Sequence, residues 1–190
     1  MRVIIKTVIL LFVVFLALPV QESLPPVEAF HGARILLIPA IVCYAALVLP
    51  SAGMFIVAVV GALISDLFYL HVFNGRPEIN PAFSLLYFVL AGYFIQGFSP
   101  AYERGHWWIA VLLSIPVTSF YLSLQWLFIC INRQNFLWGE IPQWRIIGTG
   151  LFAGAVVLVF CLIGGAVSEG RQLLVRRGKK YSGGKVSISL

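Results

Sequence analysis

Apolar residues run through this chain in long unbroken blocks, with polar residues gathered in the short gaps between them. A bilayer core of about 30 Å takes around 20 helical residues to cross. Six blocks approach that length, at 3–20, 34–50, 53–73, 82–98, 107–131 and 146–168, and each is predicted to be a transmembrane helix. Arg2 and Lys6 ahead of the first block give it the outline of a secretory leader, but Ala17-Leu18-Pro19 lacks a small-residue cleavage pattern, so it is read as a helix that stays. The blocks are too long, and lack the two-residue alternation, for strands of a membrane barrel. Pro39 and Pro116 each remove a backbone donor and are expected to bend the second and fifth helices.

Composition agrees with the pattern. The 190 residues are 61% hydrophobic and 11% charged, with a mean hydropathy of +0.97, whereas a soluble domain carries about 25% charged residues. A water-soluble globule is excluded, and the expected class is an all-α integral membrane protein of about six transmembrane helices. The domain division is a membrane domain over 1–168 and a basic cytoplasmic tail over 169–190. The net charge of +6 is local: Arg171, Arg176, Arg177, Lys179, Lys180 and Lys185 all lie in that tail. Its expected partner is the anionic surface of the lipid bilayer, not nucleic acid.

With an even number of spans both termini share a side. That side collects Arg2, Lys6, Arg104 and the six tail residues, against Arg34, Arg76, Arg133 and Arg145 opposite. Excess Lys and Arg mark the cytoplasmic side, so both termini are predicted to be cytoplasmic. Trp107 and Trp108 at the inner end of the fifth span, and Trp126, Trp138 and Trp144 toward the outer side, read as interfacial anchors.

Little in the chain suggests catalysis. His31, His71 and His106 stand singly at span ends, and no paired carboxylates, Ser/His/Asp set or phosphate-cradling glycine loop occurs. Cys43, Cys130 and Cys161 sit in apolar runs without metal-ligand spacing and are expected to be buried thiols. The reading is therefore of a protein that is not an enzyme and carries no cofactor and no metal. Asp66, the chain's one aspartate, is the exception to this quiet pattern, since a charge well inside a span costs on the order of 2.5–3.5 kcal/mol. Ala62 and Ala58, one and two turns earlier, place it at the end of a small-residue stripe able to accept another helix closely. Arg34, at the outer start of the neighbouring span, and Tyr69, one turn along the same face, are its candidate partners, with Arg34 preferred. In the sixth span Gly150 and Gly154 have the GxxxG spacing of a close helix contact, expected to be internal.

The stretch from Arg34-Ile35-Leu36-Leu37-Ile38 through Cys43-Tyr44-Ala45-Ala46-Leu47-Val48-Leu49-Pro50, then Val60-Gly61-Ala62-Leu63-Ile64-Ser65-Asp66-Leu67-Phe68, resembles the rod shape-determining protein MreD family. So does Leu85-Leu86-Tyr87-Phe88-Val89-Leu90-Ala91-Gly92-Tyr93. In that family an apolar helix ending near Leu-Pro precedes a Gly/Ala-bearing helix with an intramembrane Asp, then a helix ending in an aromatic after small residues. Ala62 stands where the family usually has glycine. The resemblance implies a non-enzymatic scaffold in the bacterial inner membrane, part of the cell-wall elongation machinery that sets cell shape. Its implied partners are an MreC-like protein, a RodA-like glycosyltransferase, a class B penicillin-binding protein and an MreB-like filament. The family fold in turn resembles the membrane-embedded substrate-binding subunits of energy-coupling-factor transporters, so a vitamin-binding transporter subunit is the alternative function.

Overall fold

Each apolar block carries a helix, but the helices differ in length more than the blocks do. The computed structural model describes residues 2–68, 72–73, 76–77, 82–134 and 139–182, with side chains over 3–68, 82–134 and 139–165. Its elements are α1 (Arg2–Ser23), α2 (Leu37–Val48), α3 (Ser51–Phe68), α4 (Ala82–Gln96), the short α5 (Ser99–Glu103), α6 (Trp108–Asn132) and α7 (Glu140–Ser182). Between α3 and α4, β1 (Val72–Phe73) and β2 (Arg76–Pro77) form a two-residue antiparallel ladder. Tyr69, His71, Glu78, Trp138 and 183–190 lie outside the described residues. The chain is a helical membrane protein: α1, α3, α6 and the Glu140–Gly165 part of α7 are apolar and long enough to cross a bilayer.

The other two helices fall short of a crossing. At 1.5 Å per residue the 12 residues of α2 and the 15 of α4 span about 18 and 22 Å. The expectation of six comparable spans therefore narrows to four helices of crossing length and two shorter ones. Pro50 ends α2 from outside, since the residue before a proline is driven out of the helical region, and Leu49 is extended at φ −105° and ψ 151°. The connection from α2 to α3 is thus only Leu49-Pro50, with Ser51–Gly53 already in the first turn of α3.

What α2 lacks in length it has in burial. Every residue from Ile38 to Leu47 is buried, with α1, α3, α4, α6 and α7 packed around it. A helix apolar on all sides is stable only in such a position. Pro39 does not bend it: it is the third residue of the helix, where the backbone N–H has no intrahelical acceptor to lose. Pro116 lies within an unbroken α6.

The outer helices are two-faced. α1 turns Thr7, Leu10, Val14, Ala17 and Gln21 inward and exposes Val8, Phe12, Phe15 and Leu16. α7 lies along α6 with Gly150 against Ser119 and Gly154 against Ile115, so the GxxxG pair is spent inside the chain, as expected. The three cysteines are buried. α7 continues unbroken to Ser182, so the proximal part of the expected tail is the end of this helix.

Candidate functional site

The inner face of α3 is made of Gly53, Met54, Val57, Ala58, Gly61, Ala62 and Ser65. Ala58 and Ala62 are fully buried, as the small-residue stripe predicts, and Asp66 follows one turn later, half-buried. Its carboxylate accepts from the Ser84 hydroxyl at the start of α4. Ser84 Oγ lies 2.7 Å from Tyr121 Oη of α6. A line of polar groups thus runs from α3 through α4 to α6. Around Tyr121 are the rings of Phe83, Tyr87 and Phe88, with centroids 6.0, 5.0 and 5.0 Å away. The second carboxylate oxygen, Oδ2, is buried and has no hydrogen-bond partner among the described residues.

Arg34 is not the partner of Asp66. Helix α2 begins only at Leu37, which leaves Arg34 in the lead-in above the helix with its side chain exposed. Among the described residues no ion pair joins the two. The other expected donor, Tyr69, lies outside the described residues.

Arg34 instead stands at a cavity of about 410 Å³. The cavity opens at the end of the bundle where α1 finishes and α2 and α7 start. Its polar lining includes Gln21, Arg34, Gln125, Trp126, Arg145 and Thr149, and its apolar wall includes Ile38, Pro39, Leu122, Ile129 and Ile146. Ser65, next to Asp66, and Tyr121 also line it, so the Asp66 line of hydroxyls ends at the cavity wall. Gln21 Oε1 accepts from the backbone N–H of Leu37 at 2.7 Å, tying the end of α1 to the start of α2. Arg145 Nε donates to the Gly32 carbonyl at 3.1 Å. Gly32 has φ +80°, a backbone conformation that favours glycine, and a Cβ there would lie 3.1 Å from Arg145 Nη2, close enough that the guanidinium would have to shift slightly. Thr149 Oγ1 donates to the Arg145 carbonyl at 2.9 Å.

Trp126, expected as an interfacial anchor, is half-buried in this wall, and its buried Nε1–H has no acceptor among the described residues. Trp107, Trp108 and Trp144 are exposed, as anchors should be. At the opposite end of the bundle Tyr102 Oη donates to Cys161 Sγ at 3.9 Å, and burial, with Tyr44 and Cys161 adding to it, pushes the Tyr102 phenol above its ordinary range. Among the described residues no three His, Cys, Asp or Glu side chains converge as metal ligands.

Comparison with protein families, with curated proteins and with solved structures finds no match to this chain. Ser84, Tyr121, Gln125, Trp126 and Arg145 are the site residues that sequence reasoning missed or read otherwise. Each is an ordinary residue within its own helix, and only the packing of α3, α4, α6 and α7 gives them a common address.

Proposed function

We propose that this protein is a non-enzymatic scaffold of the bacterial cell-wall elongation complex, acting in the inner membrane with both termini in the cytoplasm. The observation that carries the reading is the α2–α3–α4 unit. An apolar helix ends at Leu-Pro, a Gly/Ala-bearing helix brings Asp66 to the end of its buried stripe, and α4 follows with Gly92 against Met54 of α3. These are the helices whose sequence resembles MreD. The implied partners are MreC-like, RodA-like, class B penicillin-binding and MreB-like proteins. The nine-to-four asymmetry of basic residues supports the orientation.

The alternative is the membrane subunit of a vitamin transporter, with the six-helix fold of the energy-coupling-factor substrate-binding subunits. The 410 Å³ cavity favours it. Against it stands α1, which presents Val8, Phe12, Phe15 and Leu16 outward where docking onto a transporter core calls for small residues.

Affinity purification in mild detergent separates the two. Recovery of MreC-like and RodA-like proteins supports the scaffold, while a transporter ATPase pair or a bound vitamin overturns it. Asp66→Leu sharpens the test. Ser84 keeps Tyr121 as a partner, and removing an incompletely paired carboxylate in favour of an apolar side chain is near neutral for stability. The variant is therefore expected to keep its Tm within about 2 °C and to lose partner recovery if Asp66 organises the docking face.

A further inference from the structure

Among the described residues, the cavity lining has two arginines and no aspartate or glutamate. Guanidinium groups stay charged at any physiological pH, and both Arg34 and Arg145 are exposed, so positive charge rims the opening with no carboxylate among the described lining residues. Arg145 is anchored through Nε to Gly32, which leaves its terminal nitrogens for another acceptor. In the same wall the Trp126 Nε1–H is a buried donor without an acceptor among the described residues, a state that costs about 1–3 kcal/mol until something accepts from it. Donors are in excess here, which calls for a ligand rich in acceptor oxygens. The remaining wall of Ile38, Pro39, Leu122 and Ile129 is hydrocarbon, and the volume lies within the range of about 300–1,000 Å³ typical of organic ligand sites, far more than a bare phosphate fills.

We propose that this cavity binds a phosphate-bearing amphiphile, with the phosphate between Arg34 and Arg145 and the apolar body against Ile38, Leu122 and Ile129. The site goes beyond the scaffold reading and does not depend on it. Two sources share this chemistry: a phospholipid of the surrounding leaflet and a soluble alkyl phosphate.

The test uses the full-length protein in a neutral detergent, with binding read by native mass spectrometry and by thermal shift. The probes are dioctanoyl-phosphatidylglycerol, octyl phosphate, dioctanoylglycerol and inorganic phosphate. The two amphiphilic phosphates are expected to bind at least about tenfold tighter than dioctanoylglycerol, the scale of one charge-assisted contact, with affinity falling as salt rises. A preference for the glycerolipid assigns the leaflet as the source, and a preference for octyl phosphate assigns a soluble ligand. Arg34→Gln should lower affinity about tenfold, and Trp126→Phe, which keeps an aromatic ring and removes the N–H, severalfold. Arg34 is exposed and holds no helix in place, so the folding of that variant is expected to match the parent. Equal affinity for dioctanoylglycerol overturns the charged half of the proposal, and equal affinity for inorganic phosphate overturns the apolar half. Binding unchanged in both variants removes the ligand from this cavity. Partner recovery is read separately, so either proposal can fail alone.

Discussion

An alanine at position 154 would carry its Cβ to 2.7 Å from Cγ1 and 3.0 Å from Cδ1 of Ile115, with Val111 Cγ1 at 3.6 Å. Carbon atoms pack best at about 3.5–4.0 Å. Ile115 cannot easily retreat, because a β-branched side chain on a helix has one strongly preferred χ1. Its clashing Cγ1 is bonded directly to the branched Cβ and is not the flexible end. Overpacking of this kind costs about 1–3 kcal/mol, opposed by a gain of up to about 1 kcal/mol from replacing glycine in a helix interior. Gly165, on the same helix, provides the control: a Cβ there meets nothing within 4 Å among the described residues, so Gly165→Ala is expected to collect the propensity gain alone. Subtracting one variant from the other cancels the propensity and isolates the clash, about 1–3 kcal/mol, or on the order of 5 °C in Tm for a chain of this size. A thiol-reactive fluorogenic maleimide suits the measurement, because all three cysteines are buried and react only as the bundle opens. Gly154→Ala melting as high as Gly165→Ala would refute the claim that α6 and α7 meet through the glycine face.

Tyr121→Phe removes the 2.7 Å bond to Ser84 and should lower Tm by about 2–4 °C, the effect of a hydrogen bond worth about 1 kcal/mol. Ser84→Ala removes this bond and also the one to Asp66, so it should cost more than Tyr121→Phe, and the double variant little more than Ser84→Ala alone; full additivity would show that the Ser84–Tyr121 bond contributes nothing. For topology, Glu28→Cys and Glu140→Cys in intact cells should be labelled by an impermeant maleimide, and Glu103→Cys only after permeabilisation. The reverse pattern would invert the orientation.

The helices were legible because they are written locally. Six apolar blocks gave six helices, and the starts and ends of α4 and α6 lie within two residues of the block edges, whereas the block at 53–73 carries α3 to Phe68 and ends in strand β1 at Val72–Phe73. Length was misjudged where composition hides a boundary. Residues 34–50 are apolar almost throughout, yet α2 occupies only Leu37–Val48, because Pro50 expels Leu49 from the helix and the segment before Leu37 is held by backbone and side-chain bonds, among them Gln21 to Leu37. The same shortening explains Pro39, which reads as a mid-helix kink in a helix starting at 34 and as a first-turn residue in one starting at 37. Gly150 and Gly154 were legible because their spacing has one physical use, close approach of a second helix, and α6 was the neighbour in the chain.

Asp66 marks where this locality ends. Its cost in the membrane core singled it out, and the Ala58–Ala62 stripe correctly turned it inward, since both are periodic properties of one helix. The choice of partner followed charge, and charge pointed to Arg34 across the short α2–α3 turn. Geometry decided otherwise: Arg34 lies above the start of α2, while Ser84 of α4 reaches the carboxylate and Tyr121 of α6 backs Ser84. Neither hydroxyl is conspicuous in a sequence, because serine and tyrosine carry no insertion cost that demands an explanation. Arg34 instead faces a cavity where, among the described residues, a second arginine and an indole N–H are also without an anion. A basic residue near the membrane surface that has no acid to hold is thus better accounted for by what it meets from outside the chain than by the acid nearest to it in sequence.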